Sequence, residues 1–380
     1  MKIFFIDPMS YGSIAQYDRC LLNGVNDSKE SFIKIEYFCS YLNTFDYNDT
    51  IRSHKVFFYN KLPTSILKGF SYILSYLIII AYAILIRPDC IHIQWIRKPV
   101  LDYRFLKLFQ KFNIKVIYTA HNVLPHNNDN NNVRFVYSKY YKTVDTIIVH
   151  SDTTKKELID IFNLPSEKIH VIFHGLLPNN LNEEQISNES CIIKRDLNID
   201  NKIVFSCLGV QSHYKGVDLI VDAWAKNKFL HNNPNIFLII AGRSKDINFS
   251  EVSKFSNVHI EDCYLSDERY IAFLRISSAT ILPYRKISQS GALLTALNER
   301  TPVIVSHVGG LPDPLAMADI GWDIGDPTVT NIEKVLVNLS NNPSSMHKKK
   351  WDIEEWDKLF KDLSWKEIGR KTLLLYNQTK

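Results

Sequence analysis

The sequence has no CxxC pair, although it holds six cysteines: Cys20, Cys39, Cys90, Cys191, Cys207 and Cys263. Without close ligand pairs there is no structural zinc site to read. Four of the six lie in or beside apolar runs, the pattern of reduced, buried thiols in a cytoplasmic protein. No GxGxxG follows the first apolar strand, and Gly309–Gly310 stands in the wrong context, which argues against a nicotinamide oxidoreductase. No DxD motif lies between strands. Neither sign of charge dominates: 45 Lys and Arg face 40 Asp and Glu, a net +5. That balance does not call for nucleic acid, and it suits an anionic substrate or an anionic lipid surface. The opening MKIFFIDPMSYG has too short an apolar run, and no small-residue cleavage site, for a signal peptide. It reads as a first strand that turns at Pro8 to Gly12. What is present is ordinary globular composition, 46% apolar and 22% charged, which excludes disorder, collagen and coiled coil. At 380 residues the chain calls for two domains, because single cores stop growing at roughly 250–300 residues.

One segment carries no charge over 18 residues: GFSYILSYLIIIAYAILI, Gly69 to Ile86, flanked by Lys61, Lys68 and Arg87. Its length is the lower edge for a transmembrane helix. It is rich in Tyr and Ser, and RPDCIHIQW follows at once as a turn and a buried strand. A spanning helix would put that strand across the bilayer from Lys2–Ile6, its sheet partner. The expected form is a helix buried against a sheet. A helix that also dips its exposed side into a membrane surface is the second option.

Short apolar runs recur, most of them continuous and rich in Val and Ile, as in parallel strands covered on both faces. In the first half they are Lys2–Ile6, Phe32–Phe38, Ile91–Trp95, Lys115–Thr119, Thr146–His150 and Lys168–Phe173. In the second half they are Lys202–Leu208, Ile236–Ala241, Val258–Ile260, Ala279–Leu282 and Pro302–Ser306. The spacing leaves room for a helix after nearly every strand, so the fold class is doubly wound α/β, twice over. His174 to Ser190 is polar, holds Pro178 and lacks periodicity, which marks a linker. Trp351 to Tyr376 is amphipathic, with Trp356, Leu359, Phe360 and Leu363 on one helical face. His126 to Asn132 is a polar loop.

Ligands of open parallel sheets bind beyond the carboxyl ends of the strands. After Lys202–Gly209, the segment VQSHYKG leads into a helix from Val217. Lys215 and Gly216 therefore stand at a helix start, where free N–H groups and a cation suit phosphate. After ATILPY, Gln289, Ser290 and Gly291 open a second helix that Ser290 can cap. Two such starts in one half make a diphosphate site. Arg243, after IFLIIAG, is a third cationic candidate. In the first half, His121 and Asn122 follow a strand directly, and an imidazole there can bond a substrate hydroxyl or move a proton. The competing role is a structural histidine bonded to backbone. Gly12 permits close approach of backbone to a ligand, with Ser13 and Gln16 as polar contacts. His150, His174 and His307 also follow strands, without supporting neighbours.

These segments together resemble a GT-B-fold glycosyltransferase of the glycosyltransferase 4-like group that builds bacterial surface polysaccharides. YTAHNVLPH is similar to the motif around that family's sugar-contacting histidine, here His121. VIFHGLLP resembles the segment closing the first domain. LGVQSHYKGVDLIVDAW resembles the diphosphate segment, with Lys215 at the family's lysine. PYRKISQSGALLTALNERTPVIVSHVGGLPD resembles the donor-binding stretch, and LSWKEIGRKTLLLY the closing helix that returns to the first domain. Two features depart from the pattern. The two glutamates common in the donor stretch are Ile287 and Thr295 here, and an arginine common after the strand glycine is Val210.

The resemblance implies two Rossmann-like domains facing a cleft, residues 1–176 on the acceptor side and 177–359 on the donor side, with 360–380 packing back on the first. It implies transfer of a hexose from a UDP- or GDP-sugar to a saccharide or lipid-linked oligosaccharide, without metal or other cofactor and with retention of configuration. His121 and Lys215 would be catalytic. Gly12, Gly209, Gly216, Arg243, Tyr284, Gln289, Ser290, Gly291 and Thr295 would bind the donor, and Ser13, Gln16, Asn122 and His126 would line the acceptor side. Domain closure would exclude water. The implied place is the cytoplasm, with peripheral contact to the inner membrane surface through Arg97, Lys98, Arg104, Lys107 and Lys111 beside the Gly69–Ile86 run. The alternatives are a nucleotide-sugar epimerase of the same fold and an inactive nucleotide-sugar-binding scaffold.

Overall fold

The computed structural model describes residues 1–28, 33–47, 50–125, 130–179 and 181–378, so His126 lies outside the described residues. The chain divides into two compact units, Met1–Gly175 with Asp362–Lys380, and Leu176–Lys361.

The first unit runs β1 (Lys2–Asp7), α1 (Ser13–Asp27), β2 (Lys34–Ser40), β3 (Ile51–Phe57), α2 (Ser65–Ile86), β4 (Cys90–Ile93), α3 (Pro99–Lys111), β5 (Lys115–Thr119), α4 (Asn131–Thr143), β6 (Thr146–Val149), α5 (Asp152–Phe162) and β7 (Ile169–Val171). Its seven strands are all parallel, in the order β3-β2-β1-β4-β5-β6-β7. Alternate residues of β1 feed two cores. Phe4 and Ile6 pack with Tyr72, Tyr76 and Ile79 of α2, and with Phe105 and Phe109 of α3. Ile3 and Phe5 pack with Leu21 and Val25 of α1, and with residues from the end of the chain.

The second unit runs α6 (Glu183–Leu197), β8 (Ile203–Leu208), α7 (Val217–Lys226), α8 (Lys228–Asn232), β9 (Ile236–Ala241), β10 (Val258–Glu261), α9 (Asp267–Ile276), β11 (Ala279–Leu282), α10 (Gly291–Asn298), β12 (Val303–Val305), α11 (Asp313–Met317), β13 (Gly321–Asp323), α12 (Val329–Asn341), α13 (Pro343–Trp351) and α14 (Ile353–Asp362). Its parallel sheet has the order β10-β9-β8-β11-β12-β13. α15 (Trp365–Gln378) belongs to the first unit. It crosses α1 at a glycine contact: a Cβ on Gly24 would stand 2.0 Å from the Trp365 carbonyl oxygen, and one on Gly369 2.0 Å from Gly24.

One expectation changes. The stretch read as linker ends early: Asn182 caps Glu184 and Gln185, and α6 occupies residues 183 onward. Asn followed by Glu183 and Glu184 is a helix start, and it outweighs the polar composition. The amphipathic tail consists of α14 and α15, which part between Asp362 and Trp365. Strands β3 and β13 stand at sheet edges. β3 alternates with exposed polar residues and β13 has three residues, so neither carries a continuous apolar run.

Candidate active site

Both sheets reverse direction beside their first strand, between β1 and β4 and between β8 and β11. A crevice forms at such a switch point. In the second unit, β8 ends in Gly209 and the chain turns through His213–Lys215 into α7. Gly216 holds φ +72°, and a Cβ there would stand 2.1 Å from the Pro283 carbonyl oxygen, so the lysine turn locks onto the loop after β11. Lys215 is half-buried. Its ammonium lies 5.6 Å from the centre of the Tyr284 ring, and a Cβ on Gly209 would stand 3.5 Å from its Nζ. Burial lowers the Lys215 pKa, with Cys207 acting weakly the other way. Among the described residues no carboxylate pairs with it. The neighbouring Arg285 is occupied instead, bidentate to Asp218 at 2.6 and 2.7 Å.

On the other side of the switch, the Ser290 hydroxyl accepts from Leu293 N at 3.2 Å, capping α10, and lies 3.5 Å from the buried Tyr284 hydroxyl. Gly291 opens the helix onto free space. Lys215, Gly209, Gly216, Tyr284, Ser290 and Gly291 thus form one group, with Gln289 half-buried beside it. Thr295 sits a turn further on, its hydroxyl donating to Gly291 O at 2.8 Å. Arg243 is exposed after Gly242, which packs directly against the Gly209 backbone.

In the first unit, His121 follows β5 and lines a cavity of about 500 Å³ between the first turns of α3 and α4. Trp95, Val100, Leu124, Val133 and Tyr137 make most of its wall apolar, and Asn122 is on its rim. His121 Nε2–H donates to Gln94 Oε1 at 3.1 Å. Gln94 is itself oriented: its amide donates to His92 Nε2 at 3.2 Å, which also accepts from the Thr119 hydroxyl at 2.7 Å. His92 Nδ1–H then donates to Tyr376 of α15 at 2.6 Å. This chain fixes the tautomer and leaves His121 Nδ1 as an acceptor. The His150 ring lies tilted against it with centres 5.0 Å apart and meets His174 edge-on, and these two bond the backbone carbonyls of Ile172 and Gly175. Burial, then the neighbouring imidazoles, holds His121 well below its ordinary pKa. Burial likewise lowers His92 and His174 to about 3 and His150 to about 4. All four rings are neutral at pH 7.

His92, Gln94 and Tyr376 were missed. A signal exists: IHIQW sets two polar side chains two residues apart in a buried strand run, hence on one face. Gly12 holds φ +59° at the start of α1, with Ser13 exposed and Gln16 half-buried on its first turn. Among the described residues no group of three or more His, Cys, Asp or Glu has the arrangement to hold a metal.

Behind the Gly12 loop, Asp7 and Asp18 are wholly buried and hydrogen-bonded to each other. Tyr37 donates to Asp18 at 2.6 Å and Met9 N to Asp7 at 2.7 Å. Burial raises Asp7 to about 6. Burial and then Asp7 raise Asp18 further, so the pair shares a proton. A raised folded-state pKa adds stability at low pH that is lost as pH climbs through about 6. Asp18→Asn keeps both bonds without the second charge. It should raise the melting temperature at pH 8 by roughly 2–4 °C and by much less at pH 5, read by calorimetry. An equal gain at both pH values would show that the pair does not titrate.

Two all-parallel α/β units of this topology define the GT-B fold. A model for Glycosyltransferase Family 4 matches residues 36–178, and one for Glycosyl transferases group 1 matches residues 190–353. The chain belongs to this glycosyltransferase 4-like, group 1 family. It is 25% identical over 261 residues to an uncharacterized glycosyltransferase of Methanocaldococcus jannaschii. That match spans 63% of this chain and 61% of the relative. Sucrose-phosphate synthase from Thermosynechococcus elongatus superposes with TM-score 0.69 at 15% identity, over 100% of this chain and 98% of that one. Anabaena HepE in complex with UDP superposes with TM-score 0.68 at 11% identity, over all of both chains.

Proposed function

We propose that the protein transfers a hexose from a nucleotide-diphosphate sugar to a saccharide hydroxyl, with retention of configuration and without a metal. The reading rests on one observation above all: a lysine turn after β8 and a capped helix start after β11 straddle the switch point of the donor-side sheet. The C1–O bond to the diphosphate breaks, its electron pair leaving with the nucleoside diphosphate, while the acceptor hydroxyl oxygen bonds C1 on the same face and its proton passes to the departing phosphate oxygen. Lys215 and the N–H groups at the start of α10 are aimed at the charge that develops there. Nucleotide binding by a structural neighbour, HepE with UDP, supports this choice of donor. His121 Nδ1 accepts from a sugar hydroxyl. The apolar cavity beside it suits an acceptor with a lipid-like portion, supplied at the cytoplasmic face of a membrane for surface polysaccharide synthesis.

A thermal-shift screen against UDP-, GDP-, ADP- and dTDP-sugars tests the donor. At one hundred times Kd, a ligand of the native state adds about 2.7 kcal/mol. That corresponds to a rise of roughly 5–10 °C for a unit of this size. No shift with any of them would remove the nucleotide-sugar donor from this site. Release of free sugar without acceptor, and no glycoside with it, would favour the epimerase.

A further inference from the structure

α2 is apolar on both of its sides. Its buried side carries Tyr72, Ser75 and Tyr76 together with Ile79, Ile80 and Ala83. Tyr72 donates to the buried Asp102 at 2.7 Å, Ser75 donates to Val56 O at 2.7 Å, and Tyr76 stacks on Phe105 with ring centres 4.4 Å apart. Its outer side is apolar from end to end: Ile66, Phe70, Leu74, Leu77, Ile78 and Leu85 are exposed, Ile66 to 82% and Leu85 to 80%. No charged residue interrupts this stripe after Lys68. A stripe of this kind is a docking surface, not a solvated face.

Charge identifies the occupant. Residues 51–145 hold 14 Lys and Arg against four Asp and Glu, a net +10 in a chain whose total is +5. α3 and α4 lie beside α2 on the same side of the sheet. Their exposed faces carry Arg104, Lys107, Lys111, Arg134, Lys139 and Lys142, interleaved with Leu108, Phe112 and Phe135. Among the described residues these three helices offer no exposed acid, since Asp102 is buried. A second copy of this face would meet it with like charge.

We infer that α2, α3 and α4 form one face that docks on an anionic lipid bilayer, with α2 lying in the plane of the interface. α2 is long and apolar enough to cross, with mean hydropathy 2.2, yet it does not span. Before it comes β3 and after it β4, two strands of one sheet that β2 and β1 join by backbone pairing. Arg97, on the wall of the cavity beside His121, stacks 3.7 Å above Tyr59 and 5.6 Å above Tyr72, on the buried side of α2, so the cavity adjoins this helix. Docking supplies the location for the lipid-linked acceptor of the proposed function, on which only this last step rests.

The test is sedimentation of the full chain with phosphatidylcholine vesicles holding about one-third phosphatidylglycerol. Wild type should pellet with these and only weakly with pure phosphatidylcholine. Leu74→Glu with Leu77→Glu should lower the partition coefficient roughly a hundredfold. Lys107→Glu with Lys111→Glu should remove most of its salt dependence. Leu77→Trp should be quenched by brominated lipid, which also serves if the glutamate pair misfolds. Failure to bind anionic vesicles, or an unquenched Leu77→Trp, overturns the proposal. So does a dimer that Leu74→Glu dissociates while no vesicle binding is seen. The nucleotide-sugar thermal shift, measured on the same variants, should be unchanged, so a failed docking face and a failed donor assignment read out separately.

Discussion

Lys215→Ala is expected to cut turnover by roughly two to three orders of magnitude, the usual cost of deleting one group aimed at transition-state charge. The fold should survive. Lys215 is half-buried without a paired carboxylate among the described residues, and burial disfavours its charged form. The protein therefore holds a partly desolvated cation whose cost an arriving diphosphate would offset. The apo melting temperature should stay level or rise slightly in Lys215→Ala, while the shift produced by nucleotide diphosphate collapses. Lys215→Arg should rescue little, because the Gly209 backbone and the Tyr284 ring leave a compact ammonium's space around Nζ. Steady-state kinetics and calorimetry read both. Wild-type turnover in Lys215→Ala would remove the diphosphate from this site.

The lysine turn and the capped helix start of the second unit are legible in the sequence because their signals are local. A strand, a turn with Lys215 and Gly216 and a helix follow within about two dozen residues, and Ser290 caps within its own helix start. What stayed hidden is non-local. Tyr376 reaches His92 across 284 positions, and only folding shows that Gln94 links that pair to His121. The Gly69–Ile86 run was visible as apolar, but which of its sides faces the core was not. Periodicity cannot separate the two sides when both carry isoleucine, the core side adding Ala83, Tyr72, Tyr76 and Ser75 and the outer side Leu and Phe. Those tyrosines and Ser75 find partners in Asp102, Phe105 and the Val56 carbonyl, and that turns the Leu and Phe side outward. The missing glutamates, Ile287 and Thr295, also read differently in place. The Ile287 carbonyl packs so closely on Gly309 that a Cβ there would stand 1.9 Å away, so this loop is held by backbone packing.

His121→Ala should lower kcat by roughly a hundredfold while changing nucleotide affinity by less than about threefold, because the proposed function gives it a sugar hydroxyl as partner and not the phosphates. The imidazole is held neutral, so its role is that of a fixed acceptor. Burial holds its folded-state pKa well below the ordinary imidazole range. The kcat of wild type should therefore show no limb between pH 6 and 8 that His121→Ala removes. A limb near pH 6.5 lost in that variant would make His121 a proton-transfer group instead. The positioning chain supplies the second readout. His92→Phe removes both bonds that orient Gln94 and Tyr376 but leaves the cavity wall in place. It should lower kcat severalfold through a loosened His121. His121→Ala added to it should cost much less than in wild type, since residues that act as a unit are not additive. Full additivity of the two would mean that His92 only fills the core, and that the tautomer of His121 is set elsewhere.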